Sequence, residues 1–191
     1  MDWDTRVMKW VNNKQVWRAN ETTLTAPLLV TPSTTAGTSL QNGEPTDGLY
    51  YVILAVFAQQ GGTPSALNQF GIHYQISDLA IGTSGIAADL ATEDVVVNLR
   101  GNAGRYGGAA VIENALTVLN DRWSPIGYSV NTRVDSLPGS QIYVPLSPVH
   151  MLPPGAVHSL EGVAAAVDAT VKLGWVWAEV TPQELDSLGD E

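Results

Sequence analysis

The residues of this chain best suited to chemistry are His150, His158 and Glu161, since imidazole and carboxylate groups are common metal ligands. The two histidines share the parity of an extended strand, yet neither His-x-His nor His-Glu-x-x-His occurs in the sequence. The Pro-Pro-Gly segment at 153–155 between them is typical of a turn. We therefore expect histidines at a surface or a turn, with no bound metal and no cofactor.

The carboxylates give no stronger indication of catalysis. Close acid pairs occur at Glu93 with Asp94 and at Asp2 with Asp4. Adjacent residues of a strand point to opposite faces, so Glu93 and Asp94 cannot act by proximity as the two carboxylates of a glycosidase. The Gly-x-Ser-x-Gly and calcium-loop motifs are absent, and a chain without cysteine has no thiolate nucleophile or zinc ligand. The sequence predicts a protein that is not an enzyme.

A glycine-rich segment at 100–108 contains two of the six arginines, Arg100 and Arg105. It lacks the Gly-Lys-Ser/Thr ending of a phosphate-binding loop and the spacing of a dinucleotide fingerprint. An exposed loop is the simpler interpretation. Because arginine and the nearby Tyr106 are residue types that protein interfaces favour, the loop is a candidate contact for an anionic patch on a partner protein.

The overall charge also limits the partners. Nineteen acidic and nine basic residues give a net charge of −10, which repels nucleic-acid backbones and anionic membranes. The N-terminus lacks the features of a signal peptide, and no apolar run approaches the ~20 residues of a membrane helix. We expect a protein made in soluble form in the cytoplasm that binds neither nucleic acid nor membrane.

Glycine and proline clusters divide the chain into short apolar runs, which is typical of an all-β protein. Apolar and polar residues alternate at 70–77 and at the start of 167–177, as in half-buried antiparallel strands. Ile72 and Tyr74 then face inward and His73 faces solvent. Pro145 within the apolar run 141–146 indicates an edge strand or a bulge.

The run at 49–58 is apolar in both parities, so both faces of this strand need cover. An antiparallel sandwich covers one face, and a helix, a folded-back arm or a neighbouring subunit must cover the other. We favour a neighbouring subunit, because the sequence offers few helical segments. Tyr51, Ile53 and Phe57 are accordingly predicted to form an oligomer interface.

The N-terminal segment allows two interpretations. Trp3, Val7 and Trp10 would lie on one face of a helix. Alternatively, a turn at Asn13-Lys14 would make a hairpin in which Trp10 pairs with Trp17. We favour the hairpin. At the other end of the chain, the Thr-Pro-Gln-Glu pattern at 181–184 predicts a short acidic helix.

Trp175 and Trp177 share one strand face with Val171 and Leu173, which indicates a place in the core. The alternative is an exposed pair of rings on which a sugar could stack, since an indole offers an apolar body and a polar tip.

Three segments resemble jelly-roll decoration, or cement, proteins of tailed-bacteriophage capsids. They are the apolar run at 49–56, the Leu-Pro-Gly turn at 137–139 leading into the strand pattern at 142–146, and the closing Lys-Leu-Gly-Trp-Val-Trp-Ala-Glu segment at 172–179. The resemblance extends over roughly the 140 residues after Thr46. It implies an antiparallel jelly-roll-like β-sandwich at 47–181, preceded by an N-terminal arm or hairpin at 1–46 and followed by an acidic tail at 182–191.

The resemblance also implies a function and partners. Such proteins form trimers on the capsid surface of the virion, where they bind the major capsid protein and stabilise the shell. The arm would then reach over the shell, which makes Trp3, Trp10 and Trp17 candidate capsid contacts together with Arg100 and Arg105. The alternative function is a trimeric head of a tail fibre or head fibre that binds a receptor or a carbohydrate.

Overall fold

Two antiparallel β-sheets of five strands each form a sandwich in the computed structural model. The structure describes residues 3–20, 26, 28, 32, 37–60, 68–78, 96–101, 106–114, 122–131, 141–164 and 170–186. The elements in chain order are α1 (Trp3–Asn12), β1 (Val16–Asn20), β2 (Thr38–Asn42), β3 (Tyr50–Gln60), β4 (Asn68–Asp78), β5 (Val96–Asn98), β6 (Ala110–Asn114), β7 (Ser124–Asn131), β8 (Gln141–Leu152), β9 (Ala156–Ala164), β10 (Val171–Val180) and α2 (Pro182–Asp186).

The strand pairing is nested. In the first sheet, sheet A, the order is β5-β1-β10-β3-β8, and in the second, sheet B, it is β6-β2-β9-β4-β7. Thus β1 pairs with β10, β2 with β9, β3 with β8 and β4 with β7, as in one long hairpin rolled into two layers. This is the jelly-roll arrangement of eight strands, to which β5 and β6 add one edge strand each. The predicted all-β, jelly-roll-like sandwich with little helix is confirmed.

Two separate apolar cores hold the sandwich together. The inner core lies between the sheets and contains Trp175, Trp177 and Tyr51. The outer core lies on the outer face of sheet A, where Trp10 of α1 packs on Phe57 and other apolar residues of β3 and β10. Strand β10 is consequently buried on both faces along almost its whole length. The half-buried pattern predicted from the start of 167–177 holds at Val171, which is buried, and Lys172, which is partly exposed, while residues 167–169 lie outside the described residues. From Leu173 onward both faces are buried, because α1 covers the outer face.

Strand β3 is covered by its own chain. Tyr51 and Ile53 are 0% exposed in the inner core, and Phe57 is 1% exposed in the outer core. The prediction that these three side chains form an oligomer interface is wrong, since side chains without accessible surface cannot contact a second copy. Of the three covers considered for the second face of this strand, a helix, a folded-back arm and a neighbouring subunit, the structure contains the helix, α1.

The N-terminal segment is a helix and not a hairpin. Helix α1 ends in a Schellman motif, in which the Gln15 N–H donates to the carbonyl of Trp10 over 2.9 Å and the Lys14 N–H to that of Val11 over 3.0 Å. Lys14 takes the left-handed conformation that this motif requires, with φ 64°. Trp17 pairs with Trp177 of β10 and not with Trp10. The hairpin prediction failed because a left-handed residue after an Asn fits a helix end as well as a tight turn.

The expected division into an arm at 1–46 and a sandwich at 47–181 is also wrong. Strand β1 is an inner strand of sheet A and β2 an inner strand of sheet B, so the first part of the chain belongs to the sandwich. The C-terminal prediction is confirmed in α2. The Thr181 N–H donates to Glu184 Oε2 over 2.8 Å, and the Glu184 N–H donates to Thr181 Oγ1 over 3.2 Å, which is a capping box.

Strand β8 forms one edge of sheet A. Its register with β3 shifts between the pairs Ile53–His150 and Ala55–Pro145, so residues 146–149 bulge out of the ladder. Pro145 and Pro148 lie in this edge strand, where a residue without an N–H donor costs least. The edge and bulge predicted from Pro145 are both confirmed. His150 has the same strand parity as Ile142, Leu146 and Leu152 of the inner core and faces the same side.

Candidate functional site

His150 and His158 contact each other across the sandwich, and we call them the histidine pair. His150 Nδ1 lies 3.0 Å from His158 Nε2. On the other side of His158, the indole Nε1–H of Trp175 donates to His158 Nδ1 over 3.1 Å. The ring of Tyr74 stacks on both imidazoles, with ring centroids 4.6 Å from His150 and 5.6 Å from His158.

The surroundings of the histidine pair disfavour the charged imidazolium. His158 is fully buried, and this burial lowers its pKa to about 3, with a smaller contribution from His150. Burial also lowers the pKa of the half-buried His150. The expectation of histidines at a surface or a turn is therefore wrong for His158, which lies in the core because Trp175 supplies a hydrogen-bond donor there.

Glu161 does not join the histidine pair. It has the opposite strand parity to His158 and faces His73 of β4 in the ladder. Within the described ranges, no group of three or more His, Cys, Asp or Glu side chains is placed to hold a metal ion. His73 itself is only half-buried, with its pKa lowered by desolvation.

A second polar cluster surrounds the buried carboxylate of Glu179 in the inner core. The Tyr106 hydroxyl donates to Glu179 Oε1, and the Trp177 indole donates to the same atom over 3.2 Å. Burial raises the pKa of Glu179, and the nearby Glu44 raises it further, while the donors lower it in part. Tyr51 completes the cluster through its hydroxyl, 3.4 Å from that of Tyr106. Tyr51, Trp177 and Glu179 are buried and Tyr106 is partly exposed, so most of this cluster lies inside the sandwich.

Exposed apolar and basic side chains meet where the end of β5 lies against the end of α1. Val97 is 58% exposed and Leu99 is 46% exposed. The flanking cations Lys9, Lys14 and Arg100 are also exposed. We call these five residues the basic corner.

Hydrogen bonds hold the basic corner together. The Asn98 side-chain amide donates to the carbonyl of Lys14 over 2.8 Å, and the Leu99 N–H donates to that of Val16 over 3.0 Å. The Arg100 guanidinium donates to the carbonyl of Asn12 at the end of α1, where a cation is favoured by the helix dipole. These bonds fix residues 98–100 against the end of α1, the turn after it and the start of β1.

The basic corner stands out against the charge of the chain as a whole. The net charge is −10, yet six of the nine basic residues lie on α1, on the turn after it or on the strands of sheet A and their ends. These residues are Arg6, Lys9, Lys14, Arg18, Arg100 and Lys172. The layer formed by sheet A and α1 therefore carries most of the positive charge available for an anionic partner.

The predicted capsid contacts have different locations. Trp10 is 4% exposed in the outer core, and Trp17 is 8% exposed in the inner core, where its ring meets that of Tyr106 edge-on at 4.9 Å. Both are wrong as surface contacts, because the elements that carry them are packed into the sandwich. Arg100 is exposed. Arg105 and the side chain of Trp3 lie outside the described residues.

The two tryptophans considered for sugar stacking are core residues. Trp175 and Trp177 are both 0% exposed, so neither ring can stack on a sugar. Sequence reasoning overlooked Val97, Leu99 and Lys14, which form much of the basic corner. An apolar residue on an edge strand gives no signal of its exposure, because the pairing that makes the strand an edge joins residues far apart in sequence.

No family model matches the sequence, and no curated protein matches it. A structure of the infectious bursal disease virus Gx strain aligns with 11% identity over 90% of this chain and 41% of the other, with a TM-score of 0.13. A TM-score this low carries no argument about fold or function. The helices of the described part of the chain are too short to cross a membrane.

Proposed function

We propose that this chain is a structural protein of a virion, a decoration or cement protein that binds the major capsid protein at the capsid surface and stabilises the shell. Its role is binding and not catalysis, and it is made in the host cytoplasm before it joins the virion. The observation that carries the proposal is the basic corner on an acidic jelly roll. The jelly roll itself supports it only in part, since lectins and cupins share this fold with capsid proteins.

The basic corner has the composition of a protein contact. Val97 and Leu99 supply apolar area that loses contact with water on binding, at about 25 cal/mol per Å² before the costs of association. The cations around them favour an acidic protein surface and steer the approach of the partner. The net charge of −10 opposes binding to nucleic acid, so an acidic face of a capsid protein is the proposed partner.

Copies of the chain are proposed to meet through a different surface, the edge strand β8. Tyr143 and Met151, on the outer face of this strand, are each 53% exposed. The resemblance to cement proteins implies a trimer, and light scattering would then give about three times the chain mass of 20.3 kDa. A measured mass equal to that of one chain at micromolar concentration would contradict the proposed trimer.

Co-sedimentation with undecorated shells of the virus that encodes the chain tests the proposal. The wild-type protein should sediment with the shells, and raising the salt concentration should weaken the binding. Val97→Asp should weaken binding by roughly tenfold or more, since it places a charge in the apolar centre of the contact. Leu28→Asp, at an exposed apolar position that pairs with Val163 of sheet B and lies in neither proposed contact surface, is the control and should still bind.

The function and the location of the contact surface can each be contradicted by a different result. A wild-type protein that never sediments with shells would contradict the function. Binding that Val97→Asp leaves unchanged would show that the basic corner is not the contact. The receptor- or carbohydrate-binding alternative has no comparable support, because the tryptophans that suggested it are buried.

A further inference from the structure

The hydrogen bonds of the histidine pair allow only one arrangement of protons. The Trp175 indole can only donate, so His158 Nδ1 must accept. A neutral His158 then carries its proton on Nε2 and donates it to His150 Nδ1. His150 in turn carries its proton on Nε2. The chain of donors therefore runs from Trp175 through His158 to His150.

Neither imidazole can bind a second proton without losing one of these hydrogen bonds. A proton on His150 Nδ1 would face the Nε2–H of His158, so two donors would meet at 3.0 Å. A proton on His158 Nδ1 would face the indole N–H of Trp175 in the same way. Protonation of either imidazole thus replaces a hydrogen bond with a repulsive contact in the core.

The neighbours of the histidine pair cannot compensate an added charge. In the sheets, Leu40 of β2 and Ile76 of β4 flank His158, and Ile53 of β3 flanks His150. Among the described residues, the titratable group that faces the pair is Tyr74 of β4, and apart from the effect of His150 on His158 no carboxylate or basic side chain contributes to the pKa of either imidazole. An imidazolium here would therefore lack a counter-charge.

The histidine pair also connects particular elements. His158 belongs to β9 of sheet B, whereas His150 belongs to β8, an edge strand with a register shift beside it. Strand β8 pairs on one side only, with β3. Its second half is held by that ladder, by its apolar contacts, by the bond between the imidazoles and, at its end, by the Asn42 side-chain amide of β2, which donates to the carbonyl of Leu152 over 2.9 Å.

We propose that the histidine pair is an acid-sensitive contact: protonation breaks the bond between the imidazoles and releases the edge strand β8 from β9. This acid-sensitive contact is a property of the fold and does not depend on the function proposed above. It would let a moderate fall in pH open one edge of the sandwich while the central strands stay paired.

The sign of the effect follows from the lowered pKa values. A released histidine binds protons with an ordinary pKa near 6.5, whereas His158 in the closed state does so only near pH 3. The open state therefore binds more protons throughout this interval, and the closed state loses stability as the pH falls from about 7 toward 3. Between about pH 7.5 and 5.0, release of His158 should raise the opening constant roughly thirtyfold, and release of His150 should add to this rise, because its pKa is lowered as well.

Hydrogen exchange of the wild-type chain, corrected for the intrinsic effect of pH, tests the release of β8. Amides in the second half of β8 should open increasingly as the pH falls, well before amides of the central strand β10. His150→Gln should reduce the pH response of β8, because the glutamine oxygen accepts from His158 and does not titrate in this range. His73→Gln, which removes a histidine of the outer face, is the matched control and should leave the response of β8 unchanged.

Nitrogen-15 spectra of the histidine rings test the same proposal without a variant. At neutral pH both members of the pair should be neutral with the proton on Nε2. A cationic ring, or a proton on Nδ1 of either residue, would overturn the proposal. So would opening of β8 and β10 in parallel, or an equal pH response in His150→Gln and the wild type.

Discussion

At the scale of the residue, the inner core contains titratable side chains, among them His158 and Glu179. Glu179 illustrates this arrangement. Its carboxylate is 8% exposed, yet it accepts from the hydroxyl of Tyr106 and the indole of Trp177. A buried carboxylate with several donors is tolerated, but its charged form still costs more than in water.

Replacing Glu179 by glutamine should change how stability depends on pH. The raised pKa of Glu179 means that the folded state holds this proton more tightly than the unfolded chain does. The wild type therefore loses stability as the pH rises from about 4.5 through the raised pKa, by ~1.4 kcal/mol for each unit of the rise. Glu179→Gln should remove this loss and unfold at higher denaturant concentration than the wild type at pH ~8.

The control for this experiment is Glu44→Gln. The charge of Glu44 contributes to the raised pKa of Glu179. Glu44→Gln should therefore make the fall in the free energy of unfolding with rising pH smaller without abolishing it. A Glu179→Gln profile that runs parallel to the wild type across the whole pH range would contradict the prediction.

Gly174 is required by close packing at one position of β10. A Cβ there would come too close to the ring of Phe57 and to the carbonyl oxygen of Ala19. Phe57 has little room to yield, since the Arg18 guanidinium lies over its ring, 4.4 Å from the centroid. Gly174→Ala should therefore cost about 1–3 kcal/mol in the free energy of unfolding, measured with urea.

Gly107→Ala is the matched control for Gly174→Ala, because a Cβ at Gly107 meets no atom within 4 Å. It should change stability by less than ~0.5 kcal/mol. Equal costs for the two variants would show that the packing around Phe57 is looser than described.

At the scale of the element, α1 determines that sheet A is covered on its outer face as well as on its inner face. Its residues Val7, Trp10 and Val11 cover the outer face of the sheet, so β3 and β10 are buried on both sides. The helical spacing of Trp3, Val7 and Trp10 was visible in the sequence. The choice between helix and hairpin could not be made there, because the cover that α1 provides for β3 is a tertiary contact between distant parts of the chain.

The end of α1 can be tested with two equivalent changes of lysine to glycine. Lys14 has φ 64°, which strains a residue with a Cβ. Lys14→Gly should therefore raise the free energy of unfolding by ~0.5–1 kcal/mol. Lys9→Gly, inside the last turn of the helix, should lower it by about 1 kcal/mol. A Lys9→Gly variant as stable as the wild type would indicate that the segment is not helical in solution.

At the scale of the whole molecule, the nested pairing of strands explains what sequence patterns could predict. Alternation at Ile72 and Tyr74 and the proline at 145 predicted an inward face and an edge or bulge, because these signals are local. The pairing of β1 with β10 and of β2 with β9 joins the two ends of the chain, and no local signal specifies it. The burial of Trp17 follows from the pairing of β1 with β10, and the exposure of Val97 follows from the pairing of β5 with β1 at the edge of sheet A, which is why neither was predicted.

Phe57 tests whether the sandwich is complete as a single chain. Because this ring is 1% exposed, Phe57→Ala should lower the free energy of unfolding by about 3–5 kcal/mol. The loss should be the same across a roughly hundredfold range of protein concentration, since an interface between copies would make it depend on concentration. Gln59 lies two residues further along the same strand and is exposed, and Gln59→Ala is the control with a small expected cost. A concentration-dependent loss in Phe57→Ala would mean that a second copy completes the outer core.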